Sequence, residues 1–239
     1  MTKLKGTCYF CGKRGEVTKD HIPPRGIYPQ EIRDQYKPIT VRCHLVCEKP
    51  YRGGDQYLQI VLTSLTDKTV DHPVAQERRE GVKRSLEMPE LDRLWSGIAH
   101  SMKLVWRKTE GGIWIPRYRL ELDYEKLTNV FSRFVRGLFH REKNFRTALG
   151  KDYEYRLLVP DDYGDEQKDE IYRNLGFVKA QPPNVKHDDV FEYRSVYSDD
   201  EITYPHSIWH FRFYNAHDFF VIVYSPSYKG PEEKRRIIT

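Results

Sequence analysis

Apolar and polar residues along the chain fall into a few recurring patterns. Residues 55–65 place Leu58, Val61, Leu62 and Leu65 at i, i+3, i+4 and i+7, the stripe of a helix with one buried face. Asp55 falls at its N-cap or first turn, where a carboxylate is favoured. Ahead of this helix, residues 15–19 carry β-branched Val17 and Thr18 and read as a short strand running into Asp20-His21. Pro23-Pro24 ends the strand, because proline has no donor for the ladder. Residues 38–43 read as a second strand through Ile39, Thr40 and Val41. The N-terminal order is therefore strand, strand, helix.

Downstream the pattern changes. Residues 66–90 are polar and charged and read as a linker with a surface helix near 74–86, and residues 90–101 read as a helix. Residues 103–108 and 113–122 flank Thr109-Glu110-Gly111-Gly112, a hairpin signal. Residues 123–141 form an amphipathic helix with Leu127, Val130, Phe131, Phe134, Leu138 and Phe139 on one side. Gly137 inside it costs ~1 kcal/mol relative to alanine, which points to close packing there. Residues 153–159, 190–197, 207–214 and 219–225 read as strands of a mainly antiparallel sheet, with a short helix over 165–177. His206 and His210 have helical metal-ligand spacing but lie in strand-like sequence, so they read as structural. Trp209, Phe211, Phe213 and Tyr214 read as packing residues. Arg133, Arg136, Arg141, Lys143 and Arg146 read as a solvated helix face, with a phosphate-contacting face as the alternative.

Charge and cysteine content add chemistry to the first segment. Residues 1–60 hold 11 Lys and Arg against 6 Asp and Glu, so they carry the whole formal excess of +5 in the 239-residue chain. That sign suits a polyanion such as nucleic acid. All four cysteines lie there too: Cys8 and Cys11 as C-x2-C, Cys43 and Cys47 as C-x3-C. A disulfide framework would staple a whole small secreted chain; two close pairs confined to one segment read instead as one tetrahedral zinc site. The expected ligands are Cys8, Cys11, Cys43 and Cys47, with His44 as a minority substitute for a cysteine. No apolar run approaches the ~18 residues a membrane span needs, and the first residues lack the apolar core of a secretory signal. The expectation is a cytoplasmic protein with no membrane partner.

The ordered set C8-x2-C11, T18-K19-D20-H21-I22-P23-P24-R25-G26, V41-R42-C43-x3-C47 and G54-D55-Q56-Y57 resembles the HNH endonucleases, the zinc-containing type of the ββα-metal superfamily. A weaker similarity continues at residues 134–139 and 209–214. The resemblance implies an α+β chain: an HNH ββα-metal module with structural zinc over 1–66, then an α+β accessory domain of helices and antiparallel sheet over 67–239. It implies a metal-dependent endonuclease that hydrolyses phosphodiester bonds, DNA favoured over RNA, in a phage-defence or restriction setting. His21 is then the general base, able as a neutral imidazole to take a water's proton near pH 7. Asp20 and Asp55 hold one Mg²⁺ or Mn²⁺. For both to serve, a distorted strand end before Pro23 must aim Asp20 and His21 into one cleft.

The chain departs from the family pattern at several positions. Pro38, Ile39 and Thr40 stand where the central Asn falls, Glu48 replaces the Asn that follows the last cysteine, and Asp55 takes the last His position. Glu48 serves as an orienting group or a metal ligand, or else marks a site that binds without cutting. The alternative function is thus a zinc-stabilised nucleic-acid- or protein-binding module with a decayed nuclease site. Residues 67–239 are expected to recognise substrate, a protein partner or a second copy.

Overall fold

In the computed structural model of the chain, strands β1 (Leu4–Thr7), β2 (Arg14–Ile22) and β3 (Ile39–Cys43) pair antiparallel in the order β1-β2-β3. The structure describes residues 4–29, 33, 35–36, 39–64, 72–86, 92–109, 111–144 and 148–229. Strand β1 pairs with residues 14–17 of β2, and β3 with residues 18–22, in the register Thr18↔Cys43, Asp20↔Val41 and His21↔Thr40. A four-residue helix α1 (Leu45–Glu48) and then α2 (Arg52–Ser64) follow. Leu58, Val61 and Leu62 of α2 are fully buried, as the stripe requires; Leu65 lies outside the described residues.

Helices α3 (Pro73–Leu86) and α4 (Asp92–His100) lead to a hairpin of β4 (Met102–Lys108) and β5 (Trp114–Leu120). Helix α5 (Tyr124–Glu142) is capped by Asp123, whose side chain accepts from the Lys126 amide at 3.0 Å. Strand β6 (Glu154–Leu158), helix α6 (Asp165–Lys179) and strands β7 (Val185–His187), β8 (Phe191–Tyr197), β9 (Ser207–Phe213) and β10 (His217–Tyr224) complete the order. The sheet runs β6-β10-β9-β8-β7, every neighbour antiparallel. The chain is thus mixed α+β, with helices and antiparallel sheets. Strands β1 and β7 and helix α1 are too short for their patterns to stand out in the sequence.

The unbroken apolar run in β10 has a simple cause: both faces of the strand are covered. Phe219, Val221 and Val223 pack with α5, while Phe220, Ile222 and Tyr224 pack with α6. Helix α5 in turn has two partners. Phe131 stacks on Phe219 with ring centroids 4.7 Å apart. On its other side Gly137 lies so close to the N-terminal sheet that a Cβ would overlap Ile22 Cδ1 and come within 3.2 Å of Val41 Cγ2. One apolar cluster therefore runs from Cys8 through α2 and α5 to β10, across residue 66. The solvated face expected for α5 is corrected in part: Arg133 and Arg136 are buried, at 1% and 5% exposure. Trp209, Phe211, Phe213, Tyr214, His206 and His210 are all buried, as packing residues should be.

Candidate metal centre

Cys8 and Cys11 sit in the turn between β1 and β2, where the Gly12 amide donates to the Cys8 carbonyl at 2.9 Å. Gly12 has φ 71°, a conformation that glycine adopts without strain. His44 and Cys47 open helix α1, where the Cys47 amide donates to the His44 carbonyl at 2.9 Å. The ligand atoms of Cys8, Cys11, His44 and Cys47 lie within 4.8 Å of one another. Cys11 Sγ is 3.3 Å from His44 Nδ1. The other ring nitrogen, Nε2, faces Gly15, where a Cβ would approach it to 2.8 Å. Three sulfurs about one tetrahedral zinc stand about 3.8 Å apart, given Zn–S bonds of ~2.3 Å. The four-residue set therefore fits a zinc-like ion.

The convergent set holds His44 where the sequence expectation placed Cys43. Cys43 ends β3 and is fully buried, and its Sγ lies 3.8 Å from Cys8 Sγ, outside the convergent set. Consecutive strand residues point to opposite faces, so when Cys43 turns inward His44 turns toward the cysteine turn. The spacing also becomes regular: H44-x2-C47 matches C8-x2-C11, whereas C43-x3-C47 does not. That symmetry was the signal in the sequence. The hydrogen bond between the two sulfurs lowers the Cys8 thiol to about 4, against its burial, with help from the His44 amide 3.4 Å away. The same bond raises Cys43, which stays a thiol, and burial pushes Cys47 up to about 12. Cys43 is thus a neighbour of a candidate metal ligand, the position from which outer groups tune a site.

Behind this centre lies a group of buried charges. Asp20, 7% exposed, faces the core from β2 and accepts from the Tyr9 hydroxyl at 2.6 Å. Asp55, in the first turn of α2, pairs with Arg133 of α5, whose Nε stands 4.0 Å from Asp20. Burial raises Asp55 to about 6, with Asp20 and Glu48 adding to the rise and Arg133 opposing it. Burial alone would lower Arg133, yet the two carboxylates hold it above its ordinary value. Glu48 ends α1 half-buried and accepts from Thr18 at 3.3 Å.

This arrangement does not support the expected Mg²⁺ or Mn²⁺ site on Asp20 and Asp55. Arg133 already supplies the counter-charge of both carboxylates, so the pair as it stands does not fit a divalent cation. Nothing in the local sequence marks Arg133 as their partner, because it lies 78 residues beyond Asp55. Nor is the strand end distorted: the register runs evenly through His21↔Thr40 and Ile22↔Ile39. Asp20 therefore faces the core while His21 faces the other side of the sheet. There the Thr40 hydroxyl is 3.3 Å from His21 Nδ1. Two exposed cations, Lys19 and Arg42, are paired across the strands beside it. Burial and then Arg25 lower the His21 pKa, so the imidazole is neutral at pH 7.

No protein-family model, curated protein or solved structure matches the chain. Among the described residues no helix is long and apolar enough to cross a membrane.

Proposed function

We propose that this protein acts on nucleic acid as an HNH-type endonuclease, with a zinc-like ion clamping the hairpin that carries His21. The observation that carries the reading is the setting of His21: a neutral, half-buried imidazole on a strand–strand–helix unit, with Lys19, Arg25 and Arg42 around it. The cations attract a phosphodiester, and the imidazole can accept a proton from the attacking water. Cys8, Cys11, His44 and Cys47 hold the clamp, and an ion bound there supplies folding energy rather than chemistry. The chemistry assigned to the chain's own residues is the proton transfer at His21.

A second reading, a nucleic-acid-binding module that does not cut, is favoured by Arg133. A guanidinium neutralising Asp20 and Asp55 occupies the role that a catalytic cation would have. Plasmid nicking in Mg²⁺ or Mn²⁺ against an EDTA control separates the two. Cleavage lost in His21→Ala supports the nuclease, whereas binding without cleavage in either metal leaves the binding module.

A further inference from the structure

We propose that the β4–β5 hairpin is a platform for single-stranded nucleic acid, stacking bases on Trp106, Trp114 and Tyr118 and holding a phosphate with Lys108. The register places Leu104 opposite Tyr118, Trp106 opposite Pro116 and Lys108 opposite Trp114, so these six side chains share one face. That face is open: Tyr118 is 75% exposed, Trp106 62% and Trp114 58%. A buried role for such residues would place them against the body, but the hairpin is anchored at its open end. There Met102 and Leu120 meet the core, the Glu121 amide donates to the Ser101 carbonyl at 2.8 Å, and Arg119 pairs with Asp162 at 2.9 Å.

Charge decides the occupant. Lys108 places a cation on that face beside Trp114, while Lys103, Arg117 and Arg119 lie on the opposite face. Lys103 and Arg119 are paired with Glu121 and Asp162, while Lys108 is exposed and has no ion pair among the described residues. A second copy would bring like charge to the same face. Acyl chains would meet three flat rings and a proline with one long aliphatic side chain. Unpaired bases match the rings, because base–aromatic stacking tolerates any sequence, and a backbone phosphate matches Lys108.

The test is fluorescence anisotropy of labelled oligothymidylate and of a duplex of equal length, both in EDTA, so that the result does not depend on cleavage at His21. The wild type is expected to prefer the single strand. Changing Trp106→Ala, Trp114→Ala and Tyr118→Ala together should weaken that binding at least about a hundredfold, from the ~1–3 kcal/mol of each stack. Lys108→Gln should flatten the slope of log affinity against log salt by about 0.7. Tyr118→Ala alone, at the most exposed ring, gives a second reading if the triple variant folds poorly. No binding by the wild type, or equal binding by the folded triple variant, overturns the proposal. So does a triple variant that keeps oligothymidylate but loses phosphatidylserine vesicles or self-association.

Discussion

Arg133→Met tests how the N-terminal unit and helix α5 are held together. Methionine fills most of the arginine's volume without the charge, so the change isolates the electrostatics. Arg133 is 1% exposed, bonded to Asp55 and 4.0 Å from Asp20. At that separation the attraction to Asp20 alone is worth about 4 kcal/mol at an effective dielectric of 20. Desolvation of the guanidinium offsets part of this, and removal of one partner from a buried pair typically costs about 3–5 kcal/mol. The cost should depend on pH. Asp55 already sits at about 6, above its ordinary value, so the folded chain keeps its proton at pH values where the unfolded chain has lost it. Ionising Asp55 therefore removes stability as pH climbs from about 4 through about 6. Without Arg133 the rise is larger, so the loss extends to higher pH. Urea unfolding followed by circular dichroism should show the variant about 3–5 kcal/mol less stable at pH 8 and less destabilised at pH 5, where Asp55 keeps its proton. If the two proteins unfold alike at pH 8, or differ equally at both pH values, the buried-charge reasoning fails. Mn²⁺ adds a further arm: if it restores stability to Arg133→Met alone, the two carboxylates can bind a cation once the arginine is gone.

Three other outcomes follow from the geometry. His44→Ala should lower the zinc content of purified protein far below one ion per chain, whereas Cys43→Ser should retain it; elemental analysis giving the reverse pattern would restore the four-cysteine site. His21→Ala should reduce plasmid cleavage by ~10²–10⁴-fold with zinc content and fold unchanged, and full cleavage by that variant would remove the general base. Gly137→Ala should lower the melting temperature, because overpacking against Ile22 and Val41 costs about 1–3 kcal/mol, which the helix-propensity gain of about 1 kcal/mol does not fully offset. A melting temperature above the wild type's would mean that the contact relaxes freely.

The sequence alone determined whatever depends on neighbours along the chain. The stripe of α2, the Thr109–Gly112 hairpin, the apolar face of α5 and the apolar run of β10 are all local patterns, and each forms the expected element. Three of the four residues that converge in the candidate metal centre were legible for the same reason, since close spacing brings two donors together: Cys8 and Cys11 by C-x2-C, and Cys47 through its pairing with Cys43. Tertiary structure decided the rest. Which of Cys43 and His44 faces the other turn depends on the side to which β3 directs its last residue, and this is set by burial against α5 and α2. Whether Asp20 and Asp55 stand open or neutralised depends on a guanidinium from a distant helix. Long-range charge pairing leaves no periodicity in the sequence, because its energy comes from a separation in space that only the folded chain defines.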